Sequence, residues 1–400
     1  KVLIRYTSMS KYNLPAIFAL VLYPALLITL FAEYTSYQQI GWFEIILFTC
    51  SYYISNITVG IGLHRLWSHA SYKINKYAEF ILILLSAGTL QGPALSWASN
   101  HFRHHTYTDT DLDPHSPLRY KSRIKGFLWS HMGWMLKGEG SYRSIDKITM
   151  VKLGKNKLLR WQLKRYWILA ILMNTVAPAF IGFIFSQTLS GAYAGFLFIG
   201  LGRALQQQVT FFVNSLCHFT GTQKYIQGTS GDVWWLALLL LGENWHNYHH
   251  AFPSDYRNGA KWYQFDVHKW IIYLMSVCGL AWDLKRTSKV RIESKISQTI
   301  EQYVNLRKKQ LESMNIKIAE ITLSVENGIK EIENTAIIRK KFSYALDKIQ
   351  NNLCSIAQRL NQQLKNFESS SESIVNIISK EIKNIENSWQ TLHREINVNK

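Results

Sequence analysis

Among its 400 residues the sequence has only four cysteines and seven prolines. Cys50, Cys217, Cys278 and Cys354 are scattered and form no Cys-x-x-Cys pair, which excludes a disulfide framework and a cysteine zinc site. They read as free thiols facing a reducing compartment. Acidic residues are scarce too, 26 Asp and Glu against 45 Lys and Arg, giving a formal charge of +19. The basic residues alternate with apolar segments and make no continuous patch, so positive-inside membrane topology accounts for them and nucleic acid binding is not expected. No His-Glu-x-x-His string occurs, which weakens a zinc hydrolase. Proline stops at Pro253 and glycine at Gly328, so a mainly helical tail is expected from near Lys285. Lys1 is not a natural initiator, so an upstream start is expected. The first apolar run is longer than the core of a signal peptide.

What the sequence has instead is long apolar runs. Those at 14–31, 40–63 (broken only by Glu44), 166–185 and 191–213 can each cross about 30 Å of hydrocarbon as a helix. The last carries Arg203 and three glutamines, which need protein or water around them at that depth. Shorter stretches, Phe80 to Leu90 and Val233 to Leu241, suit interfacial or re-entrant elements, and Trp270 to Trp282 suits the headgroup level. The loops at 33–39 and 186–190 lack Lys and Arg while 98–165 is rich in them, which sets both termini and the central loop on the cytoplasmic side. The expected architecture is an all-α integral membrane fold. It has four transmembrane helices, a cytoplasmic helical cap holding a di-metal site, and a C-terminal helical or coiled-coil tail.

The division expected is a membrane domain over residues 1–286 and a helical extension over 287–400. In the extension Leu346, Leu353, Leu360, Phe367 and Ile374 recur every seven residues, with Ile349, Ile356 and Ile377 as part of a companion stripe. Leu311, Ile318, Val325 and Ile332 repeat the same step, and Ser369 to Ser373 suits a turn. Self-association or protein association is the role expected of this tail. The abundance of Ile, Asn and Lys points to an AT-rich genome and a bacterial inner membrane.

Nine of thirteen histidines fall into four short groups at predicted membrane boundaries. His101, His104 and His105, and again His246, His249 and His250, stand at i, i+3 and i+4, which puts three imidazoles on one helical face. His64 and His69 are five apart, about 140° around an α-helix, so they share a site only beyond the helix end or where the helix is irregular. Asn214 and His218 are an i, i+4 pair. Nine imidazoles exceed the needs of one metal and favour a dinuclear centre, with iron, zinc and copper all compatible with the donor type. Attack on an unactivated C–H bond needs a metal and dioxygen, because side chains supply no comparable oxidant.

On these strings, His64-Arg-Leu-Trp-Ser-His69, His101-Phe-Arg-His104-His105 and His246-Asn-Tyr-His249-His250, together with Asn214-x-x-x-His218, the chain resembles the membrane fatty-acid desaturases of the delta-9, stearoyl-CoA or acyl-lipid, type. The resemblance covers about residues 14–286 and extends to Asp109-Thr-Asp-Leu-Asp-Pro-His115, Ser130-His131-Met-Gly-Trp134 and Gly242-Glu-Asn-Trp-His246. It implies two Fe2+ ions held by His64, His69, His101, His104, His105, His218, His246, His249 and His250, with Asn214 reaching one iron through water. His115 and His131 are expected to support neighbouring groups and not to ligate. Asp109, Asp111 and Asp113 are expected to cap a turn and hold basic residues or histidine N–H groups. His268 and His393 have no motif context and read as ordinary interfacial and surface residues. Trp97 is either a wall of the acyl channel, as in relatives, or an interfacial anchor.

The implied activity is an O2-dependent oxidoreductase that places a cis double bond, delta-9, in a saturated acyl chain carried by CoA, acyl-carrier protein or lipid, with CoA favoured. Ser99-Asn100 replaces the Arg-Asp common in relatives and leaves the head-group contacts open. Arg119, Lys121, Arg123 and Lys125 form either a solvated positive-inside loop or an attraction for phosphate or an acidic donor. No His-Pro-Gly-Gly haem motif and no flavin fingerprint occurs, so a separate ferredoxin or cytochrome b5-like electron donor is implied. The alternatives are a related di-iron hydroxylase or ketolase, and a membrane scaffold acting through its tail.

Overall fold

The structure, a computed structural model, describes residues 12–137 and 145–332 and scattered positions between 344 and 394. It is built almost wholly of helices. Three are long and apolar enough to cross a membrane: α1 (Leu14–Tyr37), α2 (Trp42–Ser68) and α7 (Lys157–Ser186). Between them lie α3 (Lys76–Gly88), α4 (Ala94–Tyr107), the irregular helix α5 over 123–136 and α6 (Lys147–Leu153). Then follow α8 (Leu189–Phe211), α9 (Ala237–Leu240), α10 (His246–Ala251), α11 (Val267–Val277) and α12 (Lys289–Ile332).

Local chemistry sets the helix starts. Asn75, Asn156, Thr188 and Asp266 each accept a backbone N–H from the first turn of α3, α7, α8 and α11, respectively. Glu44, the one acid in the second apolar run, sits in the first turn of α2. There it accepts the Gly41 N–H at 2.8 Å and the Tyr34 hydroxyl at 2.8 Å, so its charge is bonded at the favourable end of the helix.

Arg203 and Gln207 of α8 find partners within the protein, whereas Gln206 Oε1 has none among the described residues. Arg203 donates to the Met173 carbonyl and, at 3.2 Å, to Asn174 Oδ1, both in the π-helical turn Leu172–Val176 of α7. Gln207 Nε2 donates to the Thr89 carbonyl at 2.8 Å. Close packing of α7 on α8 needs small residues: a Cβ on Gly182 would lie 2.1 Å from the Gly191 carbonyl oxygen.

Short elements then bind the two ends of the site together. β1 (Lys73–Ile74) pairs antiparallel with β2 (Ala281–Trp282), Lys73 opposite Trp282, and so ties the segment after α2 to the end of α11. Leu63, Leu66, Trp67, Ile83, Leu95, Leu159 and Ile272 form the apolar core beneath the histidines. The Val233 to Leu241 stretch lies against α2, where Tyr52 and Asn56 both donate to the Leu239 carbonyl at 2.8 Å. Trp234, Trp235, Leu238 and Leu239 remain exposed.

The chain forms two compact units, Lys1–Ile296 and Ser297–Lys400. Ile292 and Ile296 pack against Tyr225, Tyr248 and Phe252, so residues 287–296, which composition groups with the tail, belong structurally to the first unit. In the second unit Ile318, Ile321, Ile349 and Ile356 are buried. The heptad positions Leu346, Leu353, Leu360, Phe367, Ile374 and Ile377, the Ser369 to Ser373 stretch and His393 lie outside the described residues.

Candidate metal centre

The first histidine pair explains its own spacing. The end of α2, Thr58–Ser68, is wound as a π-helix, and the His69 N–H donates to the His64 carbonyl at 3.1 Å, an i→i+5 bond. This wide turn brings the two imidazoles together, ring centroids 4.9 Å apart, where an α-helix would set them on different faces. On α4 and α10 the i, i+3, i+4 triplets project as ordinary helical geometry requires.

Five histidines then converge from three helices: His64, His69, His101, His105 and His249. Four more converge beside them: His104, His218, His246 and His250. Within each group all the ligand nitrogens lie within 4.8 Å of one another. The Nε2 atoms of His64 and His249 are 2.9 Å apart, those of His69 and His101 2.7 Å, and those of His105 and His249 2.9 Å. In the second group the separations are 3.2 Å for His104 and His250, 2.9 Å for His218 and His246, and 3.0 Å for His246 and His250.

These separations suit ligands of a shared ion, and the partners of three Nδ1 atoms bear on this. His104 Nδ1 lies 3.1 Å from both Asp113 carboxylate oxygens, so its proton sits there and Nε2 offers a lone pair. His218 Nδ1 donates at 2.8 Å to Thr229 Oγ1, whose own proton goes to Asp109. His64 Nδ1 lies 2.6 Å from Glu243 Oε2. The Nε2 lone pairs of His64, His104 and His218 therefore point at neighbouring imidazole nitrogens 2.9, 3.2 and 2.9 Å away, where a cation can be shared. Two imidazoles bound to one ion at about 2.1 Å and at right angles would hold their nitrogens about 3.0 Å apart. The donor set fits two divalent metal ions, one in each group.

Burial lowers the basicity of His69, His101, His104, His105, His218, His246, His249 and His250, and neighbouring imidazoles lower it further; His105 and His218 are pushed down to about 3. They are neutral, the form that binds metal. Asn214 does not belong to either cluster of nitrogens but lines the adjoining cavity, with Trp97, Val59, Met135, Phe211 and Val213. Trp97 stacks on His101 at 4.9 Å, and its indole N–H donates to Gln91 Oε1 at 3.1 Å, so the ring is a fixed wall. Gln91, Gly92, Met135 and Phe211 are shared with a second recess reaching Ala16, Ala19 and Leu20 of α1. Ser99 is buried and donates to Asp146 at 2.5 Å, so it faces the chain's own loop.

The outer bonds to the imidazoles are what the motifs conceal. Asp109 and Asp113 hold histidine N–H groups as expected, Asp109 through Thr229, while Asp111 is exposed. His115 stacks on His104 with centroids 4.1 Å apart, and His131 bonds the Ser215 hydroxyl at 2.9 Å. Glu243 and Arg65, both within or beside histidine strings, carry no signal of their role in the sequence. Arg65 is fully buried and donates to Glu243 Oε1 at 3.0 and 3.2 Å and to the Tyr256 carbonyl at 2.8 Å, and its Nη2 lies 3.0 Å from Asp266 Oδ1. Burial alone would raise the Glu243 carboxyl, but His64 and Arg65 outweigh it and hold it well below the usual range. His268 is a correction: it is not interfacial but wholly buried, its Nδ1 2.9 Å from Glu243 Oε1.

The model of the fatty acid desaturase family matches residues 40–273, which hold every histidine of both groups. Acyl-CoA desaturase 1 of Saccharomyces cerevisiae is 37% identical over 289 residues, 68% of this chain and 54% of that protein. Delta-9 acyl-lipid desaturase 2 of Arabidopsis thaliana is 35% identical over 236 residues, 58% of this chain and 72% of that protein. A probable acyl-CoA desaturase of Schizosaccharomyces pombe is 35% identical over 257 residues, 63% of this chain and 51% of that protein. The chain thus spans about half the length of the two yeast relatives. With the matched segment covering over half of the sequence and containing both converging histidine groups, the chain belongs to the fatty acid desaturase family.

Proposed function

We propose that this protein is an O2-dependent fatty-acyl desaturase that introduces a cis double bond, delta-9, into a saturated chain carried as the CoA thioester. The observation that carries the proposal is that His64, His101, His104 and His246, drawn from both nitrogen groups, line the same cavity as Trp97, Met135, Phe211 and Val213. Two Fe2+ ions would be held by His64, His69, His101, His105 and His249 on one side and by His104, His218, His246 and His250 on the other, with Asn214 near them through water. The iron pair supplies the oxidising power for C–H bonds that no side chain has.

The residues of the chain do the rest. Gln91, Met135 and Phe211 line both the cavity and the recess at Ala16, Ala19 and Leu20, so an acyl chain whose methylenes lie beside the imidazoles would extend toward α1. Trp97, fixed by Gln91 and by stacking on His101, bends the chain at that point and keeps water from it. Asp113, Thr229 and Glu243 hold His104, His218 and His64 with Nε2 turned inward. α8, 23 residues long with Arg203 and Gln207 bonded to other parts of the protein, would serve as a fourth crossing. The two electrons per turnover would come from a separate ferredoxin or cytochrome b5-like protein docking at the cytoplasmic face.

Expression in a desaturase-deficient host, followed by double-bond analysis of its lipids, tests the proposal. The expected product is two hydrogens lighter than the saturated acid with the bond between carbons 9 and 10. A hydroxylated product, or unchanged lipids with iron bound and an electron donor supplied, would refute it.

A further inference from the structure

We propose that His268 is a positioning residue for one metal ion only, the one held by the group containing His64, and that it acts through Glu243. The inference rests on the two-metal centre proposed above. Glu243 meets His64 with one carboxylate oxygen and the rest of the protein with the other: Oε2 lies 2.6 Å from His64 Nδ1 and accepts Asn258 Nδ2 at 2.8 Å, whereas Oε1 accepts Arg65 and, at 2.9 Å, His268 Nδ1. A carboxylate turns about its terminal bond with little resistance. Oε2 stays aimed at His64 because Oε1 is anchored by the Arg65 guanidinium and by the His268 imidazole, which approach from α2 and from α11.

Two observations say that His268 is there for this bond and not for packing. Its ring is fully buried, yet among the described residues Nε2 has no hydrogen-bond partner, so the fold tolerates an orphaned polar atom that a leucine of similar size would avoid. The ring is also admitted at the expense of a side chain: a Cβ on Gly60 would lie 2.2 Å from His268 Cε1, so α2 has to be bare one turn before His64. The other group takes its outer bonds from different residues, Asp113 to His104 and Thr229 to His218, and neither of these bonds involves Glu243 or His268. The effect of losing His268 is therefore one-sided.

Metal titration of the whole 400-residue chain in detergent, with Co2+ under competition from a chelator, reads the stoichiometry and the affinity of each site. Wild type is expected to bind two ions. His268→Leu keeps the bulk and loses the N–H donor, and should weaken one site by about 10-fold or more while leaving the other unchanged, the range found for outer partners of metal-bound histidine. His268→Gln, whose amide N–H can reach Glu243, should recover most of that loss. His268→Ser, too short to reach, should reproduce the leucine effect and serves if the leucine variant does not fold. Equal weakening of both sites, no weakening of either, or glutamine behaving like leucine would overturn the role of His268. A folded wild type that binds fewer than two ions would overturn the two-metal centre and this inference together.

Discussion

Replacing Arg65 with methionine tests whether the buried charge network holds the centre in shape. The guanidinium is 1% exposed and is bonded to Glu243, Asp266 and the Tyr256 carbonyl. Methionine fills part of the volume but leaves two carboxylates without their shared cation. Asp266 retains the backbone N–H groups of Asn258 at 2.9 Å, Gly259 at 3.0 Å and Lys269 at 3.0 Å, so it is the less harmed. Glu243, itself buried, retains only the imidazoles of His64 and His268 and the Asn258 amide. Breaking a buried pair by removing one partner costs about 3–5 kcal/mol, a shift of roughly 100-fold or more in the folded fraction. The loss should be insensitive to salt, since screening reaches buried pairs poorly. Reversible unfolding of the metal-free protein in mixed micelles measures the cost, and metal content measures the consequence at His64. A loss below about 1 kcal/mol, or one that shrinks as salt is raised, would mean that water reaches the network and that the reasoning is wrong.

Thr229→Val removes the acceptor for His218 Nδ1 and should lower metal affinity at the four-histidine group by about 10-fold or more, measured by chelator competition. Lowering the pH from 7 to 5 should destabilise the metal-free protein. The buried histidines have folded values far below 6.5, about 3 for His105 and His218, so they stay neutral while the unfolded chain takes up protons, and stability present above about pH 6.5 is lost below it. A melting temperature that is flat or rising over that interval would contradict the burial of these groups. Deleting residues 297–400 should leave turnover intact, whereas cutting after Lys285 removes Ile292 and Ile296 from beneath Tyr248 and should lower the melting temperature. His104→Ala should abolish product in the lipid assay while the protein still inserts and folds.

The parts of the centre visible in the chain were those made by local periodicity. Two triplets at i, i+3 and i+4 face one way on any α-helix, so six ligand candidates and their grouping by helix needed no structure. Apolar length marked four runs for the same reason, a helix rising a set distance per residue, and three of them fall in helices long and apolar enough to cross a membrane. The five-residue step from His64 to His69 resisted this logic because its geometry depends on a π-helical end to α2, which spacing does not announce. Glu243 and Arg65 stood in plain view inside or beside the histidine strings, but their partners lie 178 positions apart.

What the sequence by itself determined is the supply of donors and their places at the ends of apolar runs. Imidazole type, helical spacing and the alternation of apolar and basic segments are all properties of short stretches. Only the tertiary structure decided how nine imidazoles divide into a group of five and a group of four, drawing His249 to one and its neighbours His246 and His250 to the other. It also decided that His268, isolated in the chain and read as interfacial, sits buried against Gly60 and Glu243. Such contacts join α2 to α11 across some two hundred residues, and no periodic pattern within either helix carries information about the other.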